Sequence, residues 1–66
     1  MTPEQARAQI ANHRKSQSKR IDDLKAVLAT WDGGATPARA RDLFAEILEI
    51  DRKVDAIAAF LRDEES

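Results

Sequence analysis

Apolar residues recur in the second half of the chain at alternating spacings of three and four positions, the repeat of one face of an α-helix. The members of this stripe are Ala40, Leu43, Ile47, Ile50, Val54, Ile57 and Leu61. The strict heptad spacing predicts a helix from about residue 37 to residue 63 whose apolar seam packs against another helix. Apolar residues at positions 44, 48, 58 and 60 broaden this surface beyond the width of one partner helix.

The first half of the chain has the same helical spacing only near its end. Ile21, Leu24, Leu28 and Trp31 follow one another at intervals of three, four and three residues. Thr2 is a favoured N-cap residue and Pro3 suits the first helical position, so we predict a helix from about residue 3 to residue 31. Residues 12–20 (NHRKSQSKR) place polar and charged groups where the apolar seam would continue.

Two adjacent glycines predict the turn between the helical segments. Gly33 and Gly34 can adopt the positive φ angles that end a helix, and Thr36 with Pro37 makes a favourable helix start. A turn at residues 32–36 joins two helices of similar length, which predicts that they lie antiparallel. The predicted fold class is therefore all-α, with the whole chain forming a single helical hairpin.

The polar stretch of the first helix leaves part of the second helix without an apolar partner. Matching apolar residues outward from the turn pairs Leu28 with Leu43 and places Gln17 near Val54. The side chains that this pairing leaves in water form the predicted partner-binding surface, with Trp31 as a second candidate. They are Val54, Ile57, Phe60 and Leu61. Such a patch marks an interaction site, and a second copy of the chain would complete a four-helix bundle as a homodimer, unless the assembly is larger.

Basic residues concentrate at the start of the chain, although its net charge is −1. Residues 1–20 carry five basic residues against one acid, whereas residues 42–65 carry eight acids. Basic side chains interleaved with amides and hydroxyls are typical of surfaces that contact phosphates and sugars. The candidate residues for binding a nucleic acid or another anion are Arg7, Asn12, Arg14, Lys15, Gln17, Lys19 and Arg20. The alternative is that acids of the second helix neutralise this segment within the fold.

Few residues of the chain offer catalytic or metal-binding chemistry. The sequence has no cysteine and no tyrosine, and His13 is its only histidine. Asp42, Glu46 and Glu49 lie along one helix face, but they lack the histidine that di-metal bundles place three residues after a glutamate. We therefore expect no enzyme activity, no metal and no cofactor. Because no apolar stretch is long enough for a membrane span or a signal peptide, we expect a cytoplasmic protein that does not bind membranes.

The first helix resembles that of a known family of helical hairpins. The polar run at residues 15–18 (KSQS), followed by Ile21, Leu24 and Leu28, is similar to the first helix of the Rop family. Those plasmid copy-number regulators dimerise into four-helix bundles and bind RNA hairpins with that helix. The resemblance implies that Asn12, Arg14, Gln17 and Lys25 would contact RNA.

A second resemblance is to small phage hairpins that sequester cyclic nucleotide signals. It lies in residues 12–14 (NHR) and in a second helix that starts at Pro37 and ends at Arg62. Our leading hypothesis is nevertheless a non-enzymatic protein-interaction or regulatory module that acts as a homo-oligomer, because a chain of 66 residues buries only a marginal core alone. The alternative is a small regulator that binds nucleic acid or nucleotides through its basic first helix.

Overall fold

The computed structural model describes residues 1–65, with side chains through residue 64. Within these residues the chain forms two α-helices. Helix α1 spans Pro3–Ala29 and helix α2 spans Ala38–Glu65. The two helices pack along each other in opposite directions, and the hairpin measures 48 × 16 × 14 Å. The predicted two-helix hairpin is therefore confirmed. Neither helix in this part of the chain combines the length and the apolar character that crossing a membrane requires.

A capping box starts α1, with Thr2 at the predicted N-cap position. The Thr2 hydroxyl accepts a hydrogen bond from the Gln5 backbone N–H at 3.1 Å, and the Gln5 side-chain oxygen accepts one from the Thr2 N–H at 2.9 Å. Pro3 follows the cap and has no N–H that would need a partner. These contacts satisfy backbone donors that the helix itself leaves unpaired.

Both helix ends at the turn differ slightly from the prediction. Helix α1 stops at Ala29, two residues before the predicted end, because Thr30 leaves the helical conformation and its N–H bonds the carbonyl of Val27. Helix α2 begins at Ala38 rather than at Pro37. The carbonyl of Pro37 accepts the first helical hydrogen bond, from the Arg41 N–H at 3.2 Å, so Pro37 is the N-cap residue and not the first residue of the helix.

The turn is held by side-chain contacts as well as by glycine. Gly33 has a φ of 88°, a value that residues with a side chain rarely adopt. The Asp32 carboxylate accepts a hydrogen bond from the Gly34 N–H at 2.9 Å, and the Trp31 indole N–H donates to the carbonyl of Ala35 at 3.2 Å. Together these contacts close the connection from Trp31 to Ala35.

The pairing of the two helices differs from the predicted one. Gln17 lies beside Ile47 and Asp51, which are seven and three residues nearer the turn than Val54, the residue with which we paired it. Gln17 is twelve residues before Ala29, and residue 50 is twelve residues after Ala38. Residues that are the same number of positions from the turn therefore lie at the same level along the hairpin axis. The predicted pairing matched apolar with apolar residues and therefore displaced one helix lengthwise along the other. In the structure, residues at equal distances from the turn lie opposite each other.

This pairing decides which side chains form the core. Leu43 is fully buried, and Ala40, Ile50 and Val54 are buried with it along the heptad stripe of α2. From α1, Ala6 is buried, and Ile10 and His13 are half-buried. The expectation that Val54 stands in water is therefore wrong: its exposure is 4%. The first turns of α1 cover the distal half of α2 because the helices are level.

Candidate interaction face

Three exposed apolar side chains lie together near the turn. Leu28 is 43% exposed, Phe44 57% and Leu48 45%. With Leu24, Thr36, Ala40, Arg41 and Ala45 they line an open groove of about 470 Å³ between the helices. We call this surface the turn-proximal groove. Two of its lining residues, Ala40 and Ala45, have small side chains.

The groove exists because α2 carries two apolar faces. Successive residues of a helix point about 100° apart, so Leu43 and Phe44 cannot face the same neighbour. Leu43 packs against α1 and is fully buried, whereas Phe44 turns toward solvent. Leu48 follows four positions later on the side of Phe44. A hairpin has one partner helix for α2, and that partner covers only the heptad face.

A polar network replaces apolar packing in the middle of the helix interface. The side chain of Gln17, 6% exposed, donates hydrogen bonds to the Ile47 carbonyl at 3.1 Å and to the Asp51 carboxylate at 2.7 Å. Its own oxygen accepts from the Arg14 guanidinium at 2.7 Å, and Arg14 also donates to Asp51 at 2.9 Å. Every polar atom of the buried amide is thus paired, which removes the cost of burying it.

These contacts change the acidity of Asp51. The hydrogen bond from Gln17, and then the hydrogen bond and positive charge of Arg14, hold the pKa of Asp51 below its usual range, although desolvation acts in the opposite direction. The carboxylate is partly exposed, so water moderates each of these effects. The charged form of Asp51 is therefore favoured by folding.

Acid is expected to weaken the hairpin through Asp51. Because folding lowers this pKa, the carboxylate stabilises the fold at every pH above its ordinary value of about 3.9. That contribution is lost as the pH falls below this value and through the folded-state pKa. Urea unfolding followed by circular dichroism should show wild-type stability falling between about pH 4 and pH 2 more steeply than that of Asp51→Asn.

The matched control for this titration is Asp55→Asn, which removes an exposed carboxylate four residues along the same helix. Its stability should follow the steep wild-type curve at low pH. If Asp51→Asn and Asp55→Asn give parallel curves, Asp51 is not the group whose protonation weakens the hairpin.

The structure separates the predicted anion-binding residues into two groups. Arg14 and Gln17 belong to the polar network, and Arg20 contacts Ser16 and lies 3.6 Å from Glu46 of α2. The others are exposed along α1, namely Arg7, Asn12, Lys15 and Lys19. Arg14 and Arg20 are thus paired with acids of α2, the alternative that the sequence left open. Anion binding by the remaining residues stays a prediction.

The predicted partner-binding residues are also divided. Val54 lies in the core of the hairpin, whereas Ile57, Phe60 and Leu61 are half-buried along the distal half of α2. Trp31 is exposed at the turn, although its indole N–H is bound to the Ala35 carbonyl. Partner binding by these residues remains a prediction.

The turn-proximal groove was not predicted, although the sequence contains a signal for it. Phe44 and Leu48 were recognised as broadening the apolar surface, and their offset from the heptad stripe of α2 places them on a different face. The prediction followed the heptad stripe outward to the distal end of α2. The exposed leucine and phenylalanine side chains lie at the opposite end, beside Leu28.

Two of the three carboxylates of the acidic row on α2, those of Glu46 and Glu49, make ion pairs. Glu46 lies 3.6 Å from Arg20, and Glu49 lies 3.6 Å from Arg52. Among the residues that the structure describes, no three histidine, aspartate or glutamate side chains come together in a way that could hold a metal ion.

No protein family, curated protein or solved structure matches this chain. The turn-proximal groove and the polar network are therefore the features from which a function can be inferred.

Proposed function

We propose that this protein is a non-catalytic interaction module of a regulatory kind, and that it acts as a homo-oligomer assembled through the turn-proximal groove. The observation that carries the proposal is the exposure of Leu28, Phe44 and Leu48 on one continuous surface. Apolar surface gathered beside a groove of small residues is typical of a protein-binding site, whereas single exposed leucines are ordinary.

The small hydrophobic core of the hairpin also favours self-association. Within the described residues, the buried apolar side chains are two alanines together with Leu43, Ile50 and Val54. A domain of this size is marginally stable unless something supplements its core. Full burial of a Leu or Phe side chain contributes roughly 1.5–3 kcal/mol, and Leu28, Phe44 and Leu48 are each about half exposed, so covering the groove supplies about half of that amount per side chain.

The test is the mass of the protein in solution as a function of its concentration. Sedimentation equilibrium is expected to give an integer multiple of the chain mass that decreases toward one on dilution, because association and burial of the groove are linked by mass action. The assembly should resist salt, since apolar contacts are little affected by ionic screening. A chain that stays monomeric at every accessible concentration contradicts the proposed function.

The alternative function, nucleic-acid or nucleotide binding through α1, has narrower support. Lys15 and Lys19 are exposed one turn apart and make no ion pair within the described residues. Phosphate binding through them would weaken linearly on a log–log plot of affinity against salt. A nucleotide or oligonucleotide that copurifies with the protein, and that Lys15→Glu with Lys19→Glu releases, would favour this function over self-assembly as the primary role.

A further inference from the structure

One face of α2 carries a short pattern of charged and apolar side chains. Arg41, Phe44, Leu48 and Asp51 follow at spacings of three, four and three residues, so they lie on one side of the helix. Arg41 and the two apolar residues line the turn-proximal groove, and Asp51 is next along the same face. In chain order the pattern reads positive, apolar, apolar, negative.

This pattern is symmetric about position 46. Phe44 and Leu48 each lie two residues from that position, and Arg41 and Asp51 each lie five residues from it. When a second α2 is laid across the first in the opposite direction, Phe44 meets the partner's Leu48. Arg41 then meets the partner's Asp51, and the same two contacts repeat on the other side of the two-fold axis.

We propose that the turn-proximal groove is occupied by a second copy of this chain, with the two α2 helices antiparallel and crossing near residue 46. This inference rests on the proposed function, self-association, and specifies its geometry. The two-fold axis then passes beside Ala45, a small residue that allows close approach of the helices. The pairs of Phe44 with the partner's Leu48 fill the grooves of both copies.

The charges at the two ends of the pattern favour the antiparallel over the parallel arrangement. In a parallel pair of α2 helices each seam residue faces its own copy, so Arg41 would meet the partner's Arg41 and Asp51 the partner's Asp51. Within the described residues the Arg41 guanidinium makes no ion pair. The hydrogen bonds that Asp51 receives inside the hairpin all end on Oδ1, and the side chain is 46% exposed, so Oδ2 can accept a further donor.

The overlap of the two α2 helices is short. Position 46 lies eight residues after Ala38, so the α2 helices of an antiparallel pair centred there overlap over about 24 Å at 1.5 Å per helical residue. Across a hairpin 16 Å wide this covers roughly 800 Å² in total, the size of a weak, concentration-dependent interface. The distal halves of both hairpins extend beyond the interface.

A charge reversal at Arg41 tests the orientation. In the antiparallel arrangement Arg41→Glu faces the partner's Asp51 twice, so the Kd of the dimer is expected to rise about tenfold or more at low salt. In a parallel dimer the change exchanges one like-charge pair for another, and the Kd stays within about twofold. The matched control is Lys15→Glu, the same charge change at an exposed position of α1 away from the groove.

Cysteine cross-linking gives an independent readout, because the chain contains no cysteine. Equimolar Phe44→Cys and Leu48→Cys proteins are mixed in a thiol–disulfide buffer and separated by mass. Random pairing of two equimolar thiols gives twice as much mixed disulfide as either symmetric one. The antiparallel arrangement predicts a mixed fraction well above that ratio, since only positions 44 and 48 come within bridging distance. A mixed fraction at or below the random ratio, or a dimer whose Kd is insensitive to Arg41→Glu, overturns this arrangement and leaves self-association standing. A monomeric wild-type protein overturns both.

Discussion

Phe44→Asp is expected to convert the self-associated protein to a monomer that keeps its helical content. The side chain is 57% exposed in the hairpin, so its loss removes little of the internal packing. At the interface, the change removes apolar burial worth roughly 1.5–3 kcal/mol and requires a carboxylate to leave water. A two-fold interface contains the position twice, so the Kd should rise by about a thousandfold or more.

Sedimentation equilibrium measures this Kd, and circular dichroism of the same samples reports the helix content. Ala56→Asp is the matched control, because it places the same charge at an exposed alanine of α2 outside the groove. That control should retain the wild-type Kd. If Phe44→Asp associates as tightly as Ala56→Asp does, the groove is not the surface through which the chain assembles.

Leu43→Ala, at the neighbouring position, is expected to act on folding itself. Leu43 is fully buried between the helices, and truncating such a leucine to alanine lowers the free energy of unfolding by about 2–5 kcal/mol. In a hairpin of 66 residues that loss is a large share of the total stability. Urea or thermal unfolding, recorded at several protein concentrations, separates this effect from weakened association.

The comparison for Leu43→Ala is Phe44→Ala, which truncates the adjacent residue on the exposed face. At concentrations where both variants are monomeric, Phe44→Ala should unfold at a clearly higher urea concentration. Equal urea midpoints for the two variants would show that the heptad face of α2 does not form the hydrophobic core.

Local sequence signals were sufficient for the helices and the turn. The capping box at Thr2 and the glycine at position 33 act within a few residues of the chain. The helix start and the turn can therefore be predicted without knowledge of the tertiary packing. The end of α1 was misplaced by two residues because Thr30 can either continue a helix or end it. Both outcomes are compatible with its local sequence.

The pairing of the helices could not be read in the same way, because it depends on contacts between distant residues. A match of apolar with apolar side chains placed Gln17 opposite Val54, whereas its amide bonds Ile47 and Asp51. A polar residue in a seam looks like an interruption when each helix is considered alone. It becomes a specific contact only when the acceptors of the other helix are known.

The wrong helix pairing also led to the wrong predicted location of the exposed apolar surface. With the helices level, the small and apolar residues at the start of α1, including Ala6 and Ile10, cover the distal half of α2. The second face of α2, with Phe44 and Leu48, then stays about half exposed beside α1. Patterning identified both faces as apolar, but which of them is covered is a property of the packed hairpin.

The contacts of Gln17 also restrict how far the helices can slide past each other. An apolar seam repeats every turn, so α1 could move by one turn, about 5.4 Å, and still find apolar neighbours. Such a slide would separate Gln17 from the Ile47 carbonyl and from Asp51 at the same moment, leaving the N–H groups of a buried amide unpaired. It would also carry Leu24 and Leu28 away from Phe44, since the groove takes its walls from both helices. A single amide outside the groove thus fixes the longitudinal alignment on which the shape of the interaction face depends.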